Sequence, residues 1–147
     1  MDEKIHRLGV YVAGNPKTHR DQIRAFMDWV ICSARYIYLT HDWLEDYEYT
    51  QQPVQDVREE CWDRACAAWD DLEGVKRANV VVAFDSEVNQ GLTTEIGAAL
   101  ALDKRVIVID PQRLQIFYYH PNVILVEDVG QATARLIDLH TALKFAV

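Results

Sequence analysis

The sequence predicts an α/β fold in which a mostly parallel, five-stranded sheet carries helices on both faces. Five short apolar runs alternate with stretches whose apolar residues recur at helical spacing, the pattern of successive strand–helix–strand units. Two of the runs, residues 80–84 and 106–109, are continuously apolar rather than alternating, as strands buried on both faces are.

Each element follows in order. Residues 8–13 form the first strand, closed by the turn signal Gly14-Asn15-Pro16. Thr18 or Asp21 is expected to cap a helix whose apolar positions are Ile23, Phe26, Met27, Val30 and Ile31. Residues 36–39 make a second strand, and a polar, aromatic loop runs on to Pro53. From about residue 54 to 77, Val57, Cys61, Ala65, Ala68, Leu72 and Val75 describe a long helix with one apolar face. A third strand from Asn79, a helix around Glu95 and a fourth strand over 105–109 come next. Residues 110–121 are irregular, 123–126 make the last strand, and a helix from Gly130 closes the chain. Joined by right-handed crossovers, five strands and four or five helices give a flavodoxin-like three-layer sandwich of strand order 2-1-3-4-5. With no repeat, low-complexity tract or linker, residues 1–147 read as one domain.

The net charge of -8 argues against partners that are polymeric nucleic acid or an anionic membrane surface. No apolar run is long enough to span a bilayer, and the first seven residues lack the apolar core of a signal peptide. Cys32, Cys61 and Cys66 form no C-x-x-C pair; they are expected to be reduced, helix-packing residues of a cytoplasmic protein. The histidines lack zinc-ligand spacing, and no H-E-x-x-H, G-x-S-x-G, G-x-x-x-x-G-K-[ST] or G-x-G-x-x-G pattern occurs. No metal or organic cofactor is expected.

In the predicted topology a ligand would bind where the first and third strands diverge. Their carboxyl ends carry Ala13-Gly14-Asn15 and the stretch from Asp85 to Glu95. Glu95 is expected in the first turn of its helix, where the helix dipole would keep a carboxylate ionised. Tyr11, Asp71, Asn89 and the segment His120-Pro121-Asn122 converge on the same end. Such a set suits cleavage of an N-glycosidic bond. One carboxylate stabilises or traps the cationic anomeric carbon, a second carboxyl protonates the departing base, and amides and a phenol hold the parts in register. Taken singly, each residue has a plainer account: an ordinary first-turn glutamate at Glu95, a core aromatic at Tyr11, a solvated acidic face at Asp71, a turn at Asn122.

Three blocks add to this. Tyr11-Val12-Ala13-Gly14-Asn15, the segment Asp71-Leu72-Glu73-Gly74-Val75-Lys76-Arg77-Ala78-Asn79-Val80-Val81-Val82-Ala83, and Gly91-x-x-x-Glu95-Ile96-Gly97-Ala98-Ala99 resemble the nucleoside 2-deoxyribosyltransferase family. That family includes the related 2'-deoxynucleoside 5'-monophosphate N-glycosidases. The resemblance implies that Glu95 is the nucleophile, that Tyr11 orients it, and that Asp71 transfers the proton. It implies that Asn89 contacts the sugar or a 5'-phosphate. It also implies a homodimer or larger assembly in which Asn122 can be lent to a neighbouring subunit. Two positions depart from the family pattern: Asn79 stands where the second block usually closes on aspartate, and Asn89 is neither the acid of the nucleoside enzymes nor the small hydroxyl of the nucleotide enzymes.

The substrate-binding set expected on these grounds comprises Gly14, Asn15, Lys17, Arg20, His41, Trp43, Asn89, Gly91 and Asn122. Lys17, His19 and Arg20 either bind a 5'-phosphate or are surface charges at a helix start. The loop Thr40-His41-Asp42-Trp43 is expected to wall the base or sugar, with Trp43 either stacking on the substrate or packing on the domain. The expected activity is cleavage of 2'-deoxynucleosides or their 5'-monophosphates through a covalent Glu95 intermediate, with a second base or water as acceptor. The rival is a non-catalytic nucleotide-sensing module using the same pocket. A flavin- or phosphate-binding flavodoxin relative has less support, because Gly14-Asn15-Pro16-Lys17-Thr18 lacks a run of small hydroxyl residues.

Overall fold

The computed structural model describes residues 6–45, 57–86, 90–112 and 114–145, with side chains from residue 64 onward in the helix that starts at Val57. Five parallel strands, β1 (Leu8–Gly14), β2 (Ile37–Leu39), β3 (Val80–Phe84), β4 (Arg105–Ile109) and β5 (Val123–Val126), form one sheet of order β2-β1-β3-β4-β5. The helices are α1 (Pro16–Cys32), α2 (Val57–Arg77), α3 (Gln90–Ala101) and α4 (Val129–Phe145), and a single 3-10 turn spans Ile116–Tyr119. The expected class, strand order and helices on both faces are therefore observed. Among the described residues no helix is long and apolar enough to cross a membrane.

The twofold period of the strands sorts the core into two layers. Val10 and Val12 of β1, Val80, Val82 and Phe84 of β3, and Ile107 and Ile109 of β4 pack with Ile23, Phe26, Met27 and Val30 of α1 and Leu136 of α4. The intervening residues Tyr11, Ala13, Val81, Ala83, Val106 and Val108 face the other way, against Val75 of α2 and Leu92, Ile96 and Ala99 of α3. That alternation points Tyr11 at the face carrying Glu95 and Asp71. Its ring is fully buried there.

Element starts are set by identifiable caps. α1 begins earlier than expected: Asn15, not Thr18 or Asp21, is the N-cap, its side chain accepting from Lys17 N at 3.0 Å, with Pro16 as the first helical residue. α4 is capped by Asp128, which accepts from Gln131 N at 2.8 Å while Gln131 Oε1 accepts from Glu127 N at 2.9 Å, a variant of the reciprocal capping box. α3 starts at Gln90, so Glu95 lies in its second turn rather than its first.

Two packing expectations are corrected. Cys32 and Cys66 are exposed rather than helix-packing, and the Cys61 side chain lies outside the described residues, as does any start of the long helix before Val57. On α2, Val75 is buried, but Ala65 and Ala68 are exposed and Leu72 is 45% exposed, so the expected apolar face packs only at its C-terminal end.

β1 outruns its edge neighbour, and the loop after β2 completes the pairing. Register ends at Val10↔Leu39, after which Thr40 N donates to Val10 O at 2.9 Å. Trp43 Nε1 then donates to Val12 O at 2.6 Å, taking the place a longer β2 would have filled. A buried carbonyl left unpaired there would cost about 1–3 kcal/mol. The loop is thereby drawn against the carboxyl end of β1, beside the site.

Candidate active site

β1, α2 and α3 bring the three expected catalytic residues together. Tyr11 Oη donates to Glu95 Oε1 at 2.9 Å across the layer between β1 and α3. Asp71, on α2, is close enough for its charge to act on both. Helix α2 can approach this closely because position 74 is glycine. A Cβ there would sit 2.9 Å from the Tyr11 ring and 2.8 Å from His41 Cβ. His41 Nε2 in turn lies 3.3 Å from Asp71 Oδ1.

The electrostatics of the group differ from the expectation of a carboxylate kept ionised by a helix start. Burial pushes the Glu95 carboxyl up to about 8; the hydrogen bond from Tyr11 opposes the shift, and the charge of Asp71 adds to it. The helix dipole fades beyond the first turn, and Glu95 sits in the second, so desolvation wins. Burial, followed by the charges of Glu95 and Asp71, drives the Tyr11 phenol far above its ordinary range, so it remains a proton-bearing donor. Near neutral pH these surroundings therefore favour the protonated form of Glu95.

The remaining candidates are placed less uniformly. Asn15 spends its side chain on the α1 cap, and Gly14 is pressed between Ile23 and Phe84. Lys17 and Arg20 are exposed on the first turns of α1, which carry no acid in the first turn. His19 departs from helical geometry (φ -125°, ψ 23°) and packs near the Phe84 ring, its buried Nδ1 without a hydrogen-bond partner. Trp43 packs against both core layers with its indole N–H committed to Val12 O. Gly91 is exposed on the second residue of α3. Asn122 sits at the start of β5, its N–H donating to His120 Nδ1 at 3.1 Å and its carbonyl accepting from Val106 N. Asn89 lies outside the described residues. Among the described residues no three His, Cys, Asp or Glu side chains gather as metal ligands would.

Two structural carboxamide and carboxylate roles escape sequence reasoning. Asn79 Oδ1 accepts from Gly9 N at 2.8 Å while Asn79 N donates to Gly9 O, fastening the entry of β3 to β1; asparagine does here what an aspartate could do. Asp85, buried at the end of β3, accepts from Ser86 N, Gln112 N and Tyr118 Oη at 3.0, 2.8 and 2.8 Å. It ties the loop after β4 and the 3-10 turn to the sheet's carboxyl edge. The only trace of this in the sequence is an acid ending an apolar strand.

Fold and site together define a flavodoxin-like α/β protein with a tyrosine and two carboxyl groups gathered at the switch point. No protein-family model matches the sequence, and no curated protein matches it. Solved structures do. The Clostridium botulinum CMP N-glycosidase BcmB superposes with a TM-score of 0.57 at 15% identity, over 89% of this chain and 98% of that one. A 2-deoxyribosyltransferase from the psychrotolerant bacterium Bacillus psychrosaccharolyticus superposes with a TM-score of 0.57 at 18% identity, over 87% of this chain and 95% of that one. At such identities the likeness establishes the shared fold; activity has to be argued from the site.

The raised carboxyl has a consequence for stability. Folding retains a proton on Glu95 that the unfolded chain releases near its ordinary 4.5, so the Glu95 contribution is fully present below that pH and is lost as pH rises through about 8. Glu95→Gln, which cannot ionise, is expected to melt above wild type at pH 8.5, with the difference shrinking towards pH 5. Thermal melts across that range check the sign.

Proposed function

We propose that the protein cleaves the N-glycosidic bond of 2'-deoxynucleosides or their 5'-monophosphates through a covalent deoxyribosyl–Glu95 intermediate. The observation that carries this is the hydrogen bond from buried Tyr11 to Glu95 within the field of Asp71. A binding pocket has no need of a carboxyl group held against a second one at such electrostatic cost. A retaining glycosyl transfer needs both.

In the proposed reaction the bond between the anomeric carbon and the base nitrogen breaks, and its electron pair leaves with the base. The proton that Glu95 holds at rest passes to Asp71 as the substrate is engaged; Asp71 gives it to that base, and Glu95, now ionised, forms an ester to the anomeric carbon. Positive charge developing on the sugar favours the ionised form of Glu95 that burial otherwise disfavours. Tyr11, donating to Oε1, turns the carboxylate and steadies it. A second base or water then attacks the same carbon, returning Glu95 to its carboxylate and a proton to Asp71. The acidless first turn of α1 with Lys17 and Arg20 supports a 5'-phosphate on the substrate.

One observation favours the sensing module instead. A Glu95 that holds its proton near neutral pH is also a good neutral partner for a sugar hydroxyl. The two readings part on turnover. Each of the four 2'-deoxynucleosides and their 5'-monophosphates is incubated with the protein, with and without a second base, and free base is measured by chromatography. Base release that Glu95→Ala lowers at least a thousandfold supports the enzyme, with kcat/KM falling as pH rises through about 8, where the pair loses the proton it gives to the leaving base. Silence throughout, with ligand still bound, supports the sensor.

A self-associating protein is part of the proposal. Ile116, Phe117 and Tyr119 are exposed on the turn that leads to Asn122, which supports a second copy covering them and bringing Asn122 near its site. Light scattering is expected to give at least twice the 17.0 kDa chain mass; a monomer at micromolar concentration contradicts it.

A further inference from the structure

The loop after β2 is fastened at every residue around His41. Thr40 is held three times: its N–H donates to Val10 O at 2.9 Å, its hydroxyl to Gly74 O at 2.8 Å, and its carbonyl accepts from Arg77 Nη2 at 3.0 Å. Asp42 is clamped by Arg24 of α1 through both oxygens, at 3.0 and 2.9 Å. Trp43 is bound to Val12 O. His41 thus sits between anchored neighbours, and its own polar contact goes to Asp71 Oδ1 at 3.3 Å. Gly74, one turn along α2 from Asp71, leaves the space that His41 Cβ and the Tyr11 ring occupy together.

The exposures separate two roles for this histidine. A wall residue presents its ring to the substrate, yet the His41 side chain is only 18% exposed, whereas that of Asp71 is 32% exposed. The imidazole is the inner partner and the carboxyl the outer one. Among the described residues, no cap, core contact or strand pairing uses the imidazole.

Building on the N-glycosidase reading, we propose that His41 is a positioning residue for Asp71 rather than a surface for the base. By holding one oxygen of the carboxyl from behind, it sets the direction of the other towards the leaving base. The proton passed at bond cleavage leaves from Asp71, not from His41. His41 neither touches the substrate nor exchanges with it, and acts through the aim of its neighbour. Aim matters because proton transfer contributes only when donor and acceptor are within about 2.6–3.2 Å at the transition state.

The test compares two leaving groups. A natural deoxynucleoside or deoxynucleotide needs a proton on its base; a 2-deoxyribosyl donor with a 4-nitrophenolate leaving group departs without one. His41→Ala is expected to lower kcat on the natural substrate about a hundredfold with KM within about threefold, and to change the nitrophenyl donor by less than about threefold. His41→Gln, which keeps a side-chain N–H at similar reach, is expected to recover most of the loss. Asp71→Asn should reproduce the split, and Glu95→Ala should abolish both reactions. Equal slowing of both donors, or a rise in KM with kcat intact, overturns the proposal, the latter restoring a wall role. Absence of Glu95-dependent base release from the wild type overturns the glycosidase reading itself and this inference with it. An active wild type indifferent to His41 overturns the inference alone.

Discussion

The hydrogen bond from buried Tyr11 to half-buried Glu95 is the constraint around which the site is arranged. It requires Tyr11 on the α2/α3 side of the sheet, which the alternation of β1 provides, and it requires α2 to come close, which the absence of a side chain at Gly74 permits. It also requires Glu95 to be drawn inward from α3 far enough to lose most of its solvation. The carboxyl answers by holding its proton to about 8. A polar contact of this kind is stable only because each member has a partner; removing either would leave the other desolvated and unpaired.

The same geometry links packing to chemistry. In the proposed reaction, a carboxyl that is neutral at rest and ionised only against developing positive charge is reactive chiefly when a sugar cation is forming, so the cost of desolvation is met in the transition state. Asp71 makes the arrangement asymmetric. It raises its neighbour while facing solvent and His41 itself, so the two carboxyl groups occupy unlike environments, and in the proposed reaction their one proton rests on Glu95 until the substrate draws it to Asp71.

Much of this architecture was legible in the residues. β3 and residues 106–109 of β4 are continuously apolar, as strands covered on both faces are; the strand order followed from their alternation with helices. Tyr11, Asp71 and Glu95 were recoverable because each lies in a block whose local structure the sequence specifies. Helix starts were less so. Asn15-Pro16 is a stronger cap than Thr18, and α3 opens at Gln90, directly after an asparagine, rather than near Gly91, Thr93 or Thr94, which moved Glu95 one turn inward and reversed the expected effect on its ionisation. The partners of His41, Trp43 and Asp85 depend on contacts between segments 27 to 33 residues apart, and no spacing along the chain encodes those. α2 misled for a different reason: a helical apolar stripe reports what can be buried, and Leu72 and Trp69 remain largely exposed in this single chain.

The central claim is a covalent bond to Glu95, and mass spectrometry tests it most directly. The protein would be incubated with a 2'-deoxy-2'-fluoroarabinosyl nucleoside or its 5'-monophosphate, whose fluorine destabilises the sugar cation and slows release of a glycosyl–enzyme. The account predicts an increase in intact mass equal to the glycosyl group, mapping after digestion to the peptide containing Glu95 and absent from Glu95→Gln. Base release from natural substrates without any such adduct, or an adduct on another residue, would contradict it.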